Sequence, residues 1–309
     1  MPTLNEFTFS KFVDDEQLIW DASSLAALQT CPQYYKLGTI DGWKIPKEGI
    51  PTLWGSAVHL GLEVLDRGKF YKESKDGAVN NACEELLRNY GEALTLSGDN
   101  TRNLESALRV IVWRAEDEYE NNNVRTAAMP DGTPGLEVRF ECPIPDTKYR
   151  ISGRIDKLAY VNDDLYITDF KTTKSGLNEW YFQRYAPNTQ VYVYLWALRK
   201  VLGMEVKGFI IDAIQTGVNF TRFGKQPFNV TDNQIDEWLA DTQWLLSCVD
   251  TFKKTNKWPH NFGSCGNYGG CTYRSICSRT PEHRQSWLDE DFIKQPYGIR
   301  TYTEGNKNV

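Results

Sequence analysis

YRISGRIDKLAYVNDDLYITDFKTT, residues 149–173, is the stretch of this chain that decides its fold. It predicts a first β-strand over 150–160, in which polar and apolar residues alternate. The triplet at 162–164, Asn-Asp-Asp, has the composition of a tight turn. A second strand begins with the apolar run at 165–167 and ends at Lys171. Together these features predict a β-hairpin.

The second strand carries an acid and a base on one side. Asp169 and Lys171 point to one face of the sheet and Phe170 to the other, because successive side chains of a strand alternate. The hairpin brings Asp156 of the first strand close to this pair. Two carboxylates and a lysine suit a hard divalent cation with a water molecule beside it. The alternative is a solvated strand face with a surface ion pair, which is common and contributes little.

The composition is that of a soluble globular protein. The 309 residues are 40% hydrophobic and 25% charged, which are ordinary values. No apolar run approaches the roughly 20 residues that span a bilayer. The N-terminus, MPTLNEFTFSKF, has neither the basic stretch nor the apolar core of a signal peptide. We therefore expect no membrane association and a cytoplasmic location.

The formal net charge of −6 bears on nucleic-acid partners. A protein that grips nucleic acid over its whole surface is usually basic. Contact with DNA would therefore need a local basic groove. Carboxylates at a metal site would contribute part of the negative charge.

The order of predicted elements is that of an α/β (α+β) fold, a mixed central sheet flanked by helices. A strand over 135–142 precedes the hairpin, and a helix over 188–202, a buried strand over 206–214 and a helix over 234–254 follow it. We expect a single domain over 1–309. Its predicted parts are a helical insertion over 60–130, a core over 135–255 that would hold any catalytic site, and a cysteine-rich segment over 256–280 packed with an N-terminal helix at 21–37.

Further polar candidates stand on predicted helices and on the first strand. His59, on a helix predicted over 56–66, would by itself be a structural histidine held by one hydrogen bond. Gln190 and Tyr194 are four residues apart, so both project from one helix face. They fit either an ordinary polar edge or a site. Glu137 either adds a carboxylate to the site or faces solvent.

Three of the seven cysteines crowd into CGNYGGCTYRSIC, where Cys265, Cys271 and Cys277 follow a C-x5-C-x5-C pattern. An odd cysteine count in a cytosolic protein favours metal binding over disulfides. Three thiolates need a fourth ligand, for which Cys31 is the candidate. Four thiolates suit zinc or an iron–sulfur cluster. Since structural zinc usually comes with close C-x2-C pairs, the wider spacing favours a 4Fe-4S cubane, and zinc is the weaker alternative.

Cys31 precedes Pro32, which predicts a break in the N-terminal helix. A cluster that uses Cys31 would tie this helix to the C-terminal segment and stabilise the fold as a cross-link does. Such a cluster need carry no electrons. Cys83, Cys142 and Cys248 lie within predicted helices or strands, and we assign them to packing.

Five motifs stand in one order along the chain. They are G-x-x-x-H at 55–59, G-x-x-D at 153–156, D-x-K at 169–171, Q-x-x-x-Y at 190–194, and one cysteine before these with three after. In this order they resemble the RecB-like branch of the PD-(D/E)XK nuclease superfamily. The resemblance is to its iron–sulfur members: the nuclease domain of AddB-type helicase–nucleases, CRISPR adaptation exonucleases and related phage exonucleases. Those relatives often have a C-x2-C step among the last three cysteines, whereas both gaps here are five residues.

The resemblance implies a role for each matching residue. The implied ligands of Mg²⁺ or Mn²⁺ are His59, Asp156, Asp169 and the carbonyl oxygen of Phe170. Lys171 would orient or deprotonate the attacking water. Gln190 and Tyr194 would position the phosphate strand.

By the same resemblance, we expect a metal-dependent DNA exonuclease that acts on DNA ends or single strands and is stabilised by an iron–sulfur cluster. A phage or CRISPR setting would follow, with recombination or CRISPR proteins as partners and the host cytoplasm as location if the chain is phage-encoded. Three alternatives stay open: an endonuclease, a non-catalytic DNA-binding or scaffold protein on a nuclease fold, and a redox iron–sulfur protein.

Overall fold

The computed structural model describes residues 19–46, 49–120 and 123–295. The N-terminal residues that bear on secretion lie outside this range, and no described helix is long and apolar enough to cross a membrane. The strands are β1 Ile19–Trp20, β2 Trp43–Lys44, β3 Val124–Thr126, β4 Leu136–Pro143, β5 Arg150–Val161, β6 Asp164–Thr173, β7 Val206–Thr216, β8 Thr221–Phe228 and β9 Ile293–Lys294. The α-helices are α1 Ala22–Thr30, α2 Pro32–Tyr35, α3 Ile50–Phe70, α4 Lys75–Thr95, α5 Leu104–Glu118, α6 Glu179–Gln183, α7 Thr189–Trp196, α8 Asp232–Thr255, α9 Arg274–Cys277 and α10 Arg284–Asp291.

Within the described ranges, seven strands form one mixed sheet in the order β1-β5-β6-β7-β8, with β3 and β4 on the other edge of β5. The β5–β6 and β7–β8 pairs are antiparallel, whereas β6 and β7 run parallel. The crossover between the two parallel strands contains α6 and α7. The predicted fold class, a mixed sheet flanked by helices, is confirmed.

The two central strands, β5 and β6, pair with each other over only part of their length. Asn162 and Asp163, both with positive φ (48° and 67°), form the two-residue turn between them, a geometry that matches the twist of a hairpin. The β5–β6 ladder runs from this turn to the pair Lys157 and Thr168 and stops there. Beyond that point β5 stays paired with β4, and β6 with β7. The strands therefore part and leave a gap in the sheet.

A helical layer of α3, α4 and α5 shares a buried core with β6. Trp54 is fully buried, and its indole N–H donates to Ser106 Oγ at 2.9 Å. Phe170 of β6 belongs to the same apolar cluster. Residues 96–103 separate α4 from α5. The start of α3 was predicted too late, because Pro51 lies in its first turn, where a helix tolerates proline.

The chain forms two compact units. One consists of Met1–Ala22 and Gly49–Gln243, and the other of Ser23–Glu48 and Trp244–Val309. The first unit contains the seven-stranded sheet. The second brings N-terminal residues against the cysteine-rich segment, where the backbone N–H of Gln33 donates to the carbonyl oxygen of Pro259 at 3.1 Å.

The N-terminal helix is broken at Cys31, as Pro32 predicts. α1 ends at Thr30, α2 begins at Pro32, and Cys31 between them is extended (φ −167°, ψ 118°). This extended residue carries its thiol away from the regular helix surface.

Candidate active site

Two acidic residues flank the point at which β5 and β6 part. Oδ2 of Asp156, on β5, accepts a hydrogen bond from the backbone N–H of Phe170 at 2.8 Å. The side chain thus replaces a ladder bond that the strands no longer make. Nδ1 of His59, on α3, lies 3.5 Å from the same oxygen. A helix residue and a strand residue, 97 positions apart in the sequence, are therefore neighbours.

Asp169 and Lys171 are joined by a third side chain. Asp169 is 1% exposed, and its Oδ2 lies 2.5 Å from Nζ of Lys171. Lys171 also donates to Oε1 of Gln190 at 3.0 Å, and Nε2 of Gln190 donates to Oδ1 of Asp169 at 2.8 Å. The three side chains, from β6 and α7, form a closed ring. Gln190 therefore fixes the orientation of both charged groups.

Tyr194 extends this ring towards β5. Nε2 of Gln190 also donates to the phenol oxygen of Tyr194 at 3.2 Å, and the phenol donates to the carbonyl oxygen of Arg154 at 2.8 Å. Burial raises the pKa of Tyr194 to about 12, so the phenol keeps its proton as this donor role requires. Gln190 and Tyr194, which project from one helix face, therefore both lie at the gap between β5 and β6.

The charges of the site act on one another. Burial raises the pKa of Asp169, and the Asp156 carboxylate adds to the shift, while Lys171 and His59 oppose it. Burial alone would lower the pKa of Lys171, but the Asp169 carboxylate outweighs it and the pKa is raised. The lysine therefore stays protonated at neutral pH.

Among the described residues, no three His, Cys, Asp or Glu side chains are grouped closely enough to hold a metal ion as they stand. Asp169 is turned onto Lys171 and Gln190, whereas His59 and Asp156 face each other. Oδ2 of Asp169 is buried, and the Lys171 ammonium lies 2.5 Å from it. An imidazole and two carboxylates are donors that a hard divalent cation accepts. By this chemistry, His59, Asp156 and Asp169 fit a divalent cation.

Glu137 belongs to the edge of this site. Its neighbours Leu136 and Val138 pair with Lys157 and Ile155, so Glu137 faces Asp156 across the β4–β5 ladder. Oε2 of Glu137 accepts an ion-pair contact from Nε of Arg154 at 2.8 Å. Burial raises the pKa of Glu137 to about 7; Arg154 opposes the shift, and Asp156 and Glu63 add to it. Of the two sequence-based readings, the structure favours a carboxylate beside the site.

The opposite face of the sheet carries charges that sequence reasoning missed. Arg114 of α5 and Asp212 of β7 are 4% and 2% exposed, and two guanidinium nitrogens lie 2.7 and 3.1 Å from the carboxylate oxygens. Burial opposes the charge of Arg114, but Asp212 and Glu118 raise its pKa. Arg114, Asp212 and Phe170 line a cavity of about 240 Å³. The two residues are 98 positions apart in the sequence, so no short sequence motif predicts that they pair.

The four candidate cluster ligands all lie in the second compact unit. The backbone N–H of Cys271 donates to the carbonyl oxygen of Cys265 at 3.0 Å. The backbone N–H of Asn261 donates to Sγ of Cys31 at 3.3 Å. Burial raises the pKa of the Cys277 thiol to about 11; Arg284 opposes the shift, and the thiols of Cys271, Cys31 and Cys265 add to it. The four thiols therefore lie within electrostatic reach of one another.

The chain is similar to known proteins over most of its length. A family model described as the PD-(D/E)XK nuclease superfamily matches residues 20–278. The Gene 69 protein of Mycobacterium phage L5 is 24% identical over 204 residues, which cover 53% of this chain and 68% of that protein. The crystal structure of a "Putative exonuclease" from Eubacterium rectale matches with a TM-score of 0.56 and 15% identity, covering 96% of this chain and 99% of the other. At that identity the likeness concerns the fold alone.

Proposed function

Because the chain belongs to the PD-(D/E)XK nuclease superfamily, we propose that this nuclease is a metal-dependent DNA exonuclease acting on ends or single strands. The superfamily generally uses divalent cations such as Mg²⁺ or Mn²⁺. The observation that carries the proposal is the hydrogen-bonded ring of Lys171, Gln190 and Asp169, beside the contact between Asp156 and His59. An acid, a lysine and an imidazole thus converge at a gap in the sheet.

His59, Asp156, Asp169 and the carbonyl oxygen of Phe170 would hold the cation. When bound, it would neutralise charge on the phosphate and lower the pKa of a coordinated water. The chemistry of this donor set, one imidazole and two carboxylates at the gap between the strands, supports the assignment. Asp156 also keeps β6 in position through its bond to Phe170 N–H.

Lys171 would act on the attacking water and on the scissile phosphate. Its ammonium has three N–H donors, of which one is used on Gln190 and another side faces Asp169. A remaining donor can orient a water molecule or offset the charge that develops on the phosphate oxygens. Gln190 and Tyr194 would keep Lys171 and Asp169 in register with the phosphate strand.

We also propose that Cys31, Cys265, Cys271 and Cys277 hold a 4Fe-4S cluster with a stabilising role. The mutual effect of the four thiols supports their use as one ligand set. No three candidate ligands in the described ranges are close enough for a single ion. The preference for a cluster over zinc rests on the sequence spacing, C-x5-C-x5-C without a close C-x2-C pair.

Digestion of labelled DNA tests the proposed activity. We expect the wild-type protein to degrade linear single-stranded DNA from its ends with Mg²⁺ or Mn²⁺, and EDTA to abolish the reaction. Asp169→Ala should be inactive and folded. Asp164→Asn is the matched control, because Asp164 lies on the same strand with its side chain 51% exposed; it should cleave like the wild type.

Three results would count against this reading. Cleavage of circular single-stranded DNA would make the protein an endonuclease. Binding without cleavage under every divalent cation tried would make it a DNA-binding protein on a nuclease fold. Cleavage by Asp169→Ala would refute the site assignment.

Anaerobic purification followed by iron, sulfide and zinc analysis tests the cluster. We expect about four irons and four sulfides per chain, with visible absorbance that Cys271→Ser removes and Cys83→Ser keeps. Zinc without iron would refute the iron–sulfur assignment and leave the nuclease proposal untouched.

A further inference from the structure

One tryptophan of the first compact unit stands almost wholly in solvent. Trp180 of α6 is 81% exposed, whereas tryptophan is on average a highly buried residue type. Its chain neighbour Tyr181 is 3% exposed, so one turn of helix places one aromatic side chain in the core and the next in water. Since single exposed hydrophobic residues are common, the position of α6 decides whether Trp180 has a role.

The α6 segment packs on a row of the sheet that includes Lys171. Lys171 of β6 pairs with Ala213 of β7, which pairs with Gly224 of β8. Neighbouring strands are about 5 Å apart, so the backbones of Lys171 and Gly224 are about 10 Å apart. A Cβ atom on Gly224 would lie 3.0 Å from Cδ1 of Leu177 and 3.5 Å from the ring of Phe182. The missing side chain therefore allows this segment to approach the sheet closely.

The next row of the same strands shows which face of the sheet this is. Phe170, Asp212 and Lys225 are partners in register, and all three line the cavity on the face opposite the site. Successive side chains of a strand alternate between the two faces. The row of Lys171 and Gly224 thus faces the site, and α6 lies on the site's side of the sheet.

The path of the chain also holds Trp180 near the site. The segment from Lys171 to Gln190 is closed by the hydrogen bond between these two side chains, at 3.0 Å. Trp180 lies at the middle of this segment. Asn178 caps α6, because its side-chain oxygen accepts a hydrogen bond from the backbone N–H of Tyr181 at 3.0 Å. The exposed indole is therefore carried by an ordered helix whose flanking residues belong to the site.

A basic side chain accompanies Trp180 on α6. Arg184 is exposed and follows Trp180 by four residues, so the two share one side of the helix. Its guanidinium carbon lies 4.5 Å from the ring centroid of Tyr181. Glu179 and Gln183 bond to each other at 3.1 Å on the adjacent side. Sites for single-stranded nucleic acid combine aromatic side chains, on which bases stack, with basic groups along the backbone.

We propose that Trp180 stacks on an unpaired nucleobase of the DNA strand whose phosphate lies at Lys171. This inference rests on the proposed nuclease function and adds a base-binding site to it. A nucleobase is the favoured occupant because it is a planar group attached to the phosphate chain that the site would hold. Stacking tolerates any base, so the contact selects single strands without selecting sequence. In a duplex, neighbouring base pairs cover the faces of the base.

A second exposed tryptophan provides a matched control. Trp244 of α8 is 70% exposed and lies outside the segment between Lys171 and Gln190. If exposed indoles bound DNA wherever they occur, Trp180 and Trp244 would respond alike to substitution.

The first test is direct binding of a fluorescent single-stranded oligodeoxynucleotide in EDTA, measured by anisotropy. We expect Trp180→Ala to weaken binding about tenfold and Trp180→Phe to stay within about threefold of the wild type, because a planar ring remains. Trp244→Ala should change the affinity less than about twofold. The slope of log K against log salt should be unchanged in Trp180→Ala, since no charge is removed. Thermal unfolding verifies that each variant is folded.

The second test replaces one nucleotide of the oligonucleotide at a time by an abasic residue. At one position the wild type should lose about tenfold in affinity, and Trp180→Ala should lose less than about twofold. This pattern identifies the stacked base, because the two losses then concern one contact.

Equal effects of Trp180→Ala and Trp244→Ala would overturn the inference, as would unchanged binding by Trp180→Ala, equal abasic profiles of Trp180→Ala and the wild type, or no binding by the wild type. These outcomes are separable from the fate of the nuclease proposal. Cleavage by the wild type with unchanged binding by Trp180→Ala removes only the base-binding site. The expected binding pattern without cleavage removes only the nuclease activity.

Discussion

The backbone N–H of Phe170 donates a hydrogen bond to Oδ2 of Asp156 at 2.8 Å, just beyond Lys157 and Thr168, the last paired residues of the two central strands. One carboxylate thus has two tasks. It holds β6 to β5 where the ladder ends, and under our proposal it binds a cation. Substitutions can separate these tasks, since one depends on hydrogen-bond acceptance and the other on charge.

Asp156→Asn keeps an oxygen acceptor for Phe170 N–H and removes the charge. We expect DNA cleavage to be lost while the free energy of unfolding changes by less than about 0.5 kcal/mol. Asp156→Ala also removes the acceptor and should cost about 1–2 kcal/mol, because a backbone N–H loses its partner. Urea unfolding in EDTA and a cleavage assay measure the two effects. Equal stability of the two variants would show that the bond does not hold the strands.

Gln190→Ala opens the ring between Lys171 and Asp169. We expect kcat to fall by about 10- to 100-fold, because the two charged groups lose their common positioning contact. Steady-state kinetics on labelled DNA, with KM reported separately, measure the loss. Gln183→Ala is the matched control, since the Gln183 side chain donates to Glu179 on the same short helix and lies outside the ring. A fall in kcat for both glutamines would point to a general effect on the α6–α7 region.

Asp212→Ala leaves Arg114 buried without its main partner. We expect a loss of about 3–5 kcal/mol in the free energy of unfolding, because removing one side of a buried ion pair strands the other charge. Urea unfolding measures it. Asp164→Ala removes an exposed ion pair with Lys207 and should cost less than about 1 kcal/mol. Similar costs for the two variants would mean that water reaches Arg114.

Glu137 should impart a pH dependence to stability. Its pKa is raised from 4.5 to about 7, so the folded state binds more protons than the unfolded state between these values. The free energy of unfolding contributed by this group is therefore fully present below about pH 4.5 and lost as the pH rises through about 7. Glu137→Gln cannot titrate and should flatten this part of the profile. Urea unfolding in EDTA across this range measures it.

Glu141→Gln is the control for that experiment, because it removes the same kind of cross-strand ion pair, with Arg150. It should retain the wild-type pH profile. A Glu137→Gln protein whose stability falls with pH as steeply as the wild type would contradict the assignment to Glu137.

Local chemistry explains what the sequence predicted well. The turn at Asn162 and Asp163 and the alternation along β6 are properties of a few adjacent residues, so the hairpin was predictable. The contact of Asp156 with the D-x-K strand follows from that hairpin. The break at Cys31 likewise follows from a single proline.

Non-local geometry explains what the sequence did not predict. The pairing of Arg114 with Asp212 depends on how a helix layer docks on a sheet. The role of Glu137 depends on the register between β4 and β5, which the loop between Ile144 and Tyr149 sets and no residue next to Glu137 indicates. The early start of α3 was not predicted, because a proline such as Pro51 occurs both in loops and in the first turn of a helix. The roles assigned to His59, Gln190 and Tyr194 stay predictions until the variants are measured.

The packing of Phe170 links the apolar core to the proposed site. It is 5% exposed and shares an apolar cluster with Trp54 and Leu62, yet its two chain neighbours are Asp169 and Lys171. The positions of Asp169 and Lys171 are thus constrained from the opposite face of the sheet, by this apolar cluster. Substitutions that repack this cluster to raise the melting temperature are therefore expected to change the catalytic rate as well. A selection for heat tolerance should measure both quantities.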